Sequence, residues 1–201
     1  MDFSIVNYFK MDGESVNVGG RNIFRLNNLS VKNFLSEIYN FSEINYPKFF
    51  KMDLISKAGI LGAEYLLKGR ENLETAIFLA NSSSSLDTDR NYQKTIGDDN
   101  YFPSPSLFVY TLPNIVLGEI AIKHKLYGES LFYVLEDFDA QTIFDYFCNA
   151  AKNSRFEQAI IGWIECTEDN CDVMLMLVEC KKGVNEFNIN NINIIRNERI
   201  G

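Results

Sequence analysis

Residues 75–80 (TAIFLA) form a short apolar run with no polar alternation, leading directly into Asn81-Ser82-Ser83-Ser84-Ser85. A strand with one wet face alternates polar and apolar residues, so a continuous run of this length belongs to a strand covered on both sides. Residues 131–135, 159–166 and 173–180 have the same character, the last two separated by the turn Thr167-Glu168-Asp169-Asn170. Residues 3–8 alternate and read as a further strand, followed by a turn at Gly19-Gly20. A sheet wet on neither face needs helices on both, and helical spacing appears between the strands. Leu29, Val31, Phe34, Leu35 and Ile38 mark a helix over 29–39. After Pro47 resets the backbone, Leu54, Ala58, Leu61 and Tyr65 mark a second over 53–68, with Gly69 as its C-cap. A long polar connection follows the serines. Residues 106–126 then read as the longest helix, which Pro113 kinks or resets, and 140–152 as another. The pattern predicts an α/β chain with a mixed five-stranded sheet packed with helices.

The 201 residues suit one domain able to bury about 70% of its unfolded surface, so no staple is required. With 19 basic and 27 acidic residues the net charge is −8, which argues against a nucleic-acid partner. The start MDFSIVNYFK has an acid where a secretory leader needs positive charge, and apolar runs such as 173–178 are too short to span a bilayer. A cytoplasmic protein with no membrane span is the expectation. Cys148, Cys166, Cys171 and Cys180 form no C-x-x-C pair and read as reduced thiols, not disulfides or metal ligands. The one histidine, His124, leaves most metal sites and histidine-assisted nucleophiles without a base. No metal or cofactor is expected.

Two further clusters invite a chemical reading. The four serines leave a strand end as a polar loop whose N–H groups could hold an anion, but neither phosphate-loop glycine pattern is present. Glu136-Asp137-Phe138-Asp139 crowds three carboxylates before a helix, where capping explains them better than a divalent ion. His124, between Lys123 and Lys125 near a helix C-terminus, reads as a dipole-stabilised cation.

The stretch from Pro103 carries more. Pro105, Pro113, Asn114, Gly118, Ala121, Ile122, Leu126 and Gly128 fall without a gap into the pattern that precedes the nucleophile of the β-ketoacyl synthase family, which this segment resembles. Lys51-Met52-Asp53-Leu54-Ile55-Ser56 is similar to that family's basic-M-D-x-x-S helix start. Gly162 and Glu165 match its G-x-x-E strand, and 173–179 its L-V-L-E strand, the segment between being cut here to a turn. The resemblance is closest to the ketosynthase-like N-terminal domains of bacterial aryl-polyene and flexirubin pigment clusters. It implies one half of a thiolase-like fold, in which two such halves stack as five layers, over 1–182, with an Asn/Ile-rich tail over 183–201.

The resemblance also implies what is missing. Counting from Gly128, the nucleophilic cysteine of the family falls at Asp137, and the second half would bring two histidines and a lysine, whereas no histidine follows Cys180. Without a thiolate no acyl-enzyme forms, so the label of 3-oxoacyl-acyl-carrier-protein synthase exceeds the chemistry present. Family members pair through the strand before the nucleophile, here Leu131, Phe132, Tyr133, Val134 and Leu135. The expectation is a non-catalytic subunit of the chain-length-factor kind. It would form a homodimer, or a heterodimer with a full-length ketosynthase, and meet acyl carrier protein during fatty-acyl, polyketide or aryl-polyene synthesis. The alternative is an acyltransferase completed by a partner chain, or an acyl-binding enzyme using Glu136, Asp137 or Asp139 as base, which would need burial to raise its pKa.

Overall fold

The computed structural model describes residues 2–70, 73–97, 102–153 and 156–199. Strand β1 (Ser4–Met11) leads into β2 (Ser15–Val18), β3 (Arg21–Arg25) and helix α1 (Val31–Phe41); a 3-10 turn, Pro47–Lys51, precedes α2 (Leu54–Leu67). The middle of the chain runs β4 (Ala76–Asn81), α3 (Leu86–Gln93), α4 (Pro105–Val109), α5 (Ile115–His124) and β5 (Ser130–Val134). Helix α6 (Ala140–Asn153), β6 (Gln158–Cys166), β7 (Cys171–Glu179) and α7 (Ile189–Asn197) complete it. The strands make one mixed sheet in the order β3-β2-β1-β7-β6-β4-β5, with β4 parallel to both β5 and β6 and every other pair antiparallel.

The continuous apolar runs follow from a core on each face. On one face Ile77 and Leu79 of β4 join Val173, Leu175 and Leu177 of β7 beneath α1, α2 and α5. On the other, Ala76 and Phe78 join Met174, Met176 and Val178 beneath α6 and α7. Alternate residues of one strand therefore enter different cores, and each must be apolar.

Helix α2 lies deep in the first core. Asp53 caps it by accepting the Ser56 N–H at 3.0 Å, and Gly69, at φ +72°, turns the chain away after it. A Cβ on Gly59 would stand 2.4 Å from Val116 Cγ2, and one on Gly62 2.5 Å from Leu175 Cδ1, so those glycines set how closely α2 meets α5 and the sheet. Buried Glu119 of α5 pairs with Lys48 at 2.7 Å and accepts the Tyr110 hydroxyl at 3.0 Å, tying the 3-10 turn to the α4–α5 junction.

Three features differ from the sequence reading. The sheet has seven strands among the described residues, not five, because β2 and β3 form a hairpin whose polar residues (Asn17, Arg21, Asn22, Arg25) hide the strand period; Gly19 and Gly20 turn it with positive φ. The polar connection after the serines contains α3, which buries only Thr88 and so carries no hydrophobic period. Finally, 106–126 is two helices: Pro113, which has no N–H to offer, lies in the gap between Val109 and Ile115.

The segment read as a tail, 183–201, supplies α7. Ile192 and Ile195 are buried in the second core, and Asn188 caps the helix by accepting from the Asn191 N–H at 2.8 Å. Buried Lys10 of β1 donates to the carbonyls of Ile195 (2.8 Å), Arg196 (3.0 Å) and Glu198 (2.5 Å), satisfying the helix C-terminus with a cation where the dipole is negative.

Gly162, in the middle of β6, gives the sharpest packing test. A Cβ there would sit 2.0 Å from the Met174 carbonyl oxygen across the β6–β7 pair, backbone that cannot turn aside. Gly162→Ala should therefore cost about 2–3 kcal/mol of unfolding free energy, read as a lower urea midpoint.

Candidate functional site

Because β4, β5 and β6 are parallel, their C-terminal ends arrive together, bringing the serine loop after Asn81, the acidic segment after Val134 and the end of β6 to one edge of the sheet. Open α/β sheets present ligands to such an edge.

Glu165, near the end of β6 and buried, dominates it. Its Oε2 accepts from Ser82 N–H (2.8 Å), Ser82 Oγ (2.8 Å) and Ser83 N–H (3.1 Å), and its Oε1 accepts from Ser83 Oγ. Asn81 closes the loop, donating to the Ser84 carbonyl at 2.9 Å and accepting the Ser84 N–H at 3.1 Å. The loop therefore does hold an anion, and the anion is the chain's own carboxylate.

Beside it opens a polar cavity of about 470 Å³ lined by Ser82, Asp137, Glu165, Asp172 and Arg196, among others. Arg196, from α7, grips both oxygens of Asp172 at 2.5 Å each, with its guanidinium carbon 4.6 Å from the centre of the Phe138 ring. Phe138 in turn meets Trp163 edge-on, ring centres 6.0 Å apart. Asp137, where the family resemblance puts the nucleophile, lines this cavity but is exposed, as are Glu136 and Asp139.

That exposure removes the condition on which the acid–base alternative rested. Asp139 caps α6, accepting from Thr142 Oγ1 (2.5 Å), Thr142 N–H (3.1 Å) and Gln141 N–H (3.1 Å). The Thr142 hydroxyl chiefly, with those N–H groups, holds its carboxyl below the ordinary range, opposite to what a general base at neutral pH requires. Nor does a thiol stand in: Cys148, half-buried on α6, is pushed up by burial and by Asp145. Among the described residues no three His, Cys, Asp or Glu side chains gather to hold a metal.

His124 departs from its sequence reading. Burial first, then Lys123, lowers its pKa, with Glu64 opposing from 3.7 Å, and its Nε2 has no hydrogen-bond partner. It ends α5 as a half-buried ring, while Lys123 takes Glu64 at 2.6 Å.

The remaining motif residues are distributed along this frame. Pro105 occupies the first turn of α4, whose cap Ser104 accepts the Leu107 N–H at 3.4 Å. Pro113 lies in the interhelical gap and Asn114 precedes α5 without a side-chain cap bond. Gly128 approaches the Thr75 carbonyl so closely that a Cβ would be 2.4 Å away, whereas Gly118 has open space around it, so nothing in the structure explains glycine there. Leu131, Phe132, Tyr133 and Val134 lie in β5 and Leu135 just after it, its N–H reaching Asn81 O at 2.9 Å. β5 is an edge strand, paired only with β4 among the described strands.

No family model and no curated protein matches the chain. Solved structures do. The ishigamide ketosynthase/chain length factor superposes with a TM-score of 0.64 at 11% identity, over 89% of this chain and 62% of that one. The ketosynthase ApeO in complex with its chain length factor ApeC, from Xenorhabdus doucetiae, gives 0.58 at 13%, over 91% and 81%. A type II polyketide acyl-carrier protein in complex with its hexaketide-bound ketosynthase, AntDE:AntF, gives 0.63 at 11%, over 89% and 62%. The fold is half of a thiolase-like fold. This chain spans about three-fifths of the first and third of those proteins, and at these identities the likeness speaks for the fold alone.

Arg196 and Lys10 escaped the sequence reading because the tail carries no strong period and a lone lysine in a strand carries no signal. Glu165 was legible as a motif residue but not as the anchor of the serines, since the two are far apart in sequence and meet only through β4–β6 pairing. Glu165→Ala should remove the charge-assisted bonds that hold the Ser82 and Ser83 N–H groups, costing about 1–3 kcal/mol, and should speed amide exchange at Ser82 and Ser83 while leaving β7 protected.

Proposed function

We propose that this chain is a non-catalytic ketosynthase-like subunit of the chain-length-factor kind, which pairs through β5 with a catalytic ketosynthase in polyketide-type acyl-chain assembly. The observation that carries the reading is the asymmetry of the sheet's two edges. β3 ends the sheet with Arg21 and Arg25 flanking Asn22, charges of the kind that blunt an edge. β5 ends it with Ser-Leu-Phe-Tyr-Val and no charge at all; Leu131 is 39% and Val134 50% exposed. Exposed Ile122 of α5 and Tyr146 of α6, the latter stacked on Tyr133 at 4.7 Å, extend the apolar surface on either side. An uncharged aromatic edge is an aggregation hazard unless a partner strand covers it.

The partner class is supported by the complexes to which the fold is similar, in which ketosynthases are found with a chain length factor or with an acyl-carrier protein. The lack of catalytic function is supported by an exposed aspartate, Asp137, at the nucleophile position. The narrower assignment, to aryl-polyene or flexirubin pigment synthesis in the cytoplasm, rests on the sequence resemblance. Among the described residues no helix is long and apolar enough to cross a membrane.

Light scattering after size exclusion, with the chain alone and mixed with a ketosynthase, tests the pairing. The expected species is a homodimer or a one-to-one heterodimer, and the double variant Leu131→Lys with Val134→Lys should be monomeric with its thermal midpoint nearly unchanged. A wild-type monomer indifferent to the ketosynthase would refute the proposal.

A further inference from the structure

A second and larger cavity, about 590 Å³, opens on the other side of the serine loop, between the first turn of α2, α3 and the β6–β7 turn. That volume is in the range of small-molecule sites. Lys57 of α2 lines it and is only 5% exposed. Among the described residues its ammonium has neither a hydrogen bond nor an ion pair, and its one polar contact is with the face of the Phe49 ring, 5.8 Å from the centroid. Buried ammonium groups are paired as a rule, because losing water without a counter-charge is costly.

Lys32 of α1 lines the same cavity. Burial, then the Lys32 charge, lowers the Lys57 pKa, while Asp53 and Cys166 act the other way. Two ammonium groups thus line one space, and neither makes an ion pair among the described residues. Of the four carboxylates lining the cavity, Asp53 caps α2 through the Ser56 N–H, Asp87 accepts the Glu168 N–H at 2.7 Å, and Glu168 and Asp169 are exposed at the rim.

The same walls define the charge and shape of the guest. The serine-loop amides that would cradle a phosphate are spent, those of Ser82 and Ser83 on Glu165 and that of Ser84 on Asn81. Asp87, Glu168 and Asp169 make the rim repulsive to a polyanion. Phe50, Leu54, Leu86 and Leu107 give the cavity an apolar side. We infer that this cavity binds a monocarboxylate with an apolar body, its carboxylate held by the buried Lys57 ammonium with Lys32 as the second cation. A charge-assisted pair gives the affinity, and the apolar wall gives preference for a chain or ring over a bare anion.

Isothermal titration of the full chain with octanoate, 1-octanol and inorganic phosphate decides the matter. Octanoate should bind once per chain, and octanol and phosphate at least about tenfold more weakly. Lys57→Met keeps the apolar stem and removes the charge; it should melt no lower than wild type yet bind octanoate about tenfold or more weakly. Lys32→Met, at an exposed position, should weaken it by a smaller factor of about 2–3. No octanoate binding up to ~10 mM, octanoate affinity unchanged in Lys57→Met, or phosphate bound as tightly as octanoate would overturn the assignment. The titration uses this chain alone, so it stands or falls separately from pairing through β5.

Discussion

Burial of β4 on both faces is the constraint from which the rest of the molecule follows. All six of its residues, Ala76–Asn81, are buried, so the sheet around it can meet water on neither side and two helical layers are obligatory. The first layer is made by α1, α2 and α5, with the glycines of α2 allowing close approach. The second is made by α6 together with α7. Here α6 shows its apolar side (Ala140, Ile143, Phe147, Ala151) to the sheet, and α7 from the Asn/Ile-rich segment lies beside it.

The electrostatics follow the same economy. Each deeply buried charge described above, Lys57 excepted, has its partner in a different element: Glu165 in the serine loop, Glu119 with Lys48 and Tyr110, Lys10 at the end of α7. Such groups contribute little net energy when satisfied but are costly to leave alone, so they specify which loop or helix end sits where. Against that background the unpartnered Lys57 is conspicuous, and it is the one such cation that faces a cavity.

The parallel strands then decide where function can lie. They deliver the serine loop, the acidic segment and the β6–β7 turn to one edge, with a polar cavity on one side of Glu165 and the larger cavity on the other. The acidic segment is a helix cap there, with Asp139 accepting from Gln141 and Thr142. The laterally exposed, uncharged β5 is the other notable surface, and it carries the proposed pairing.

Much of this was legible in the residues alone. The apolar runs, the C-cap at Gly69 and the break at Pro113 are local signals: strand period, capping chemistry and ring sterics act over a few residues. What stayed hidden depends on residues distant in sequence. The polar β2–β3 hairpin is a strand pair only because β1 offers it an edge, and α3 is a helix with almost no buried face. The serines read as a solvated strand exit with only a weak anion signal, whereas in the fold they hold the Glu165 carboxylate. His124 stands at a helix end where a cation is favoured, but packing half-buries its ring and gives Glu64 to Lys123. Sequence by itself determined the layers, because hydrophobic period is a local property. Only the tertiary structure decided which charge meets which partner, and that Lys57 meets none, because desolvation and pairing depend on elements that the chain brings together only when folded.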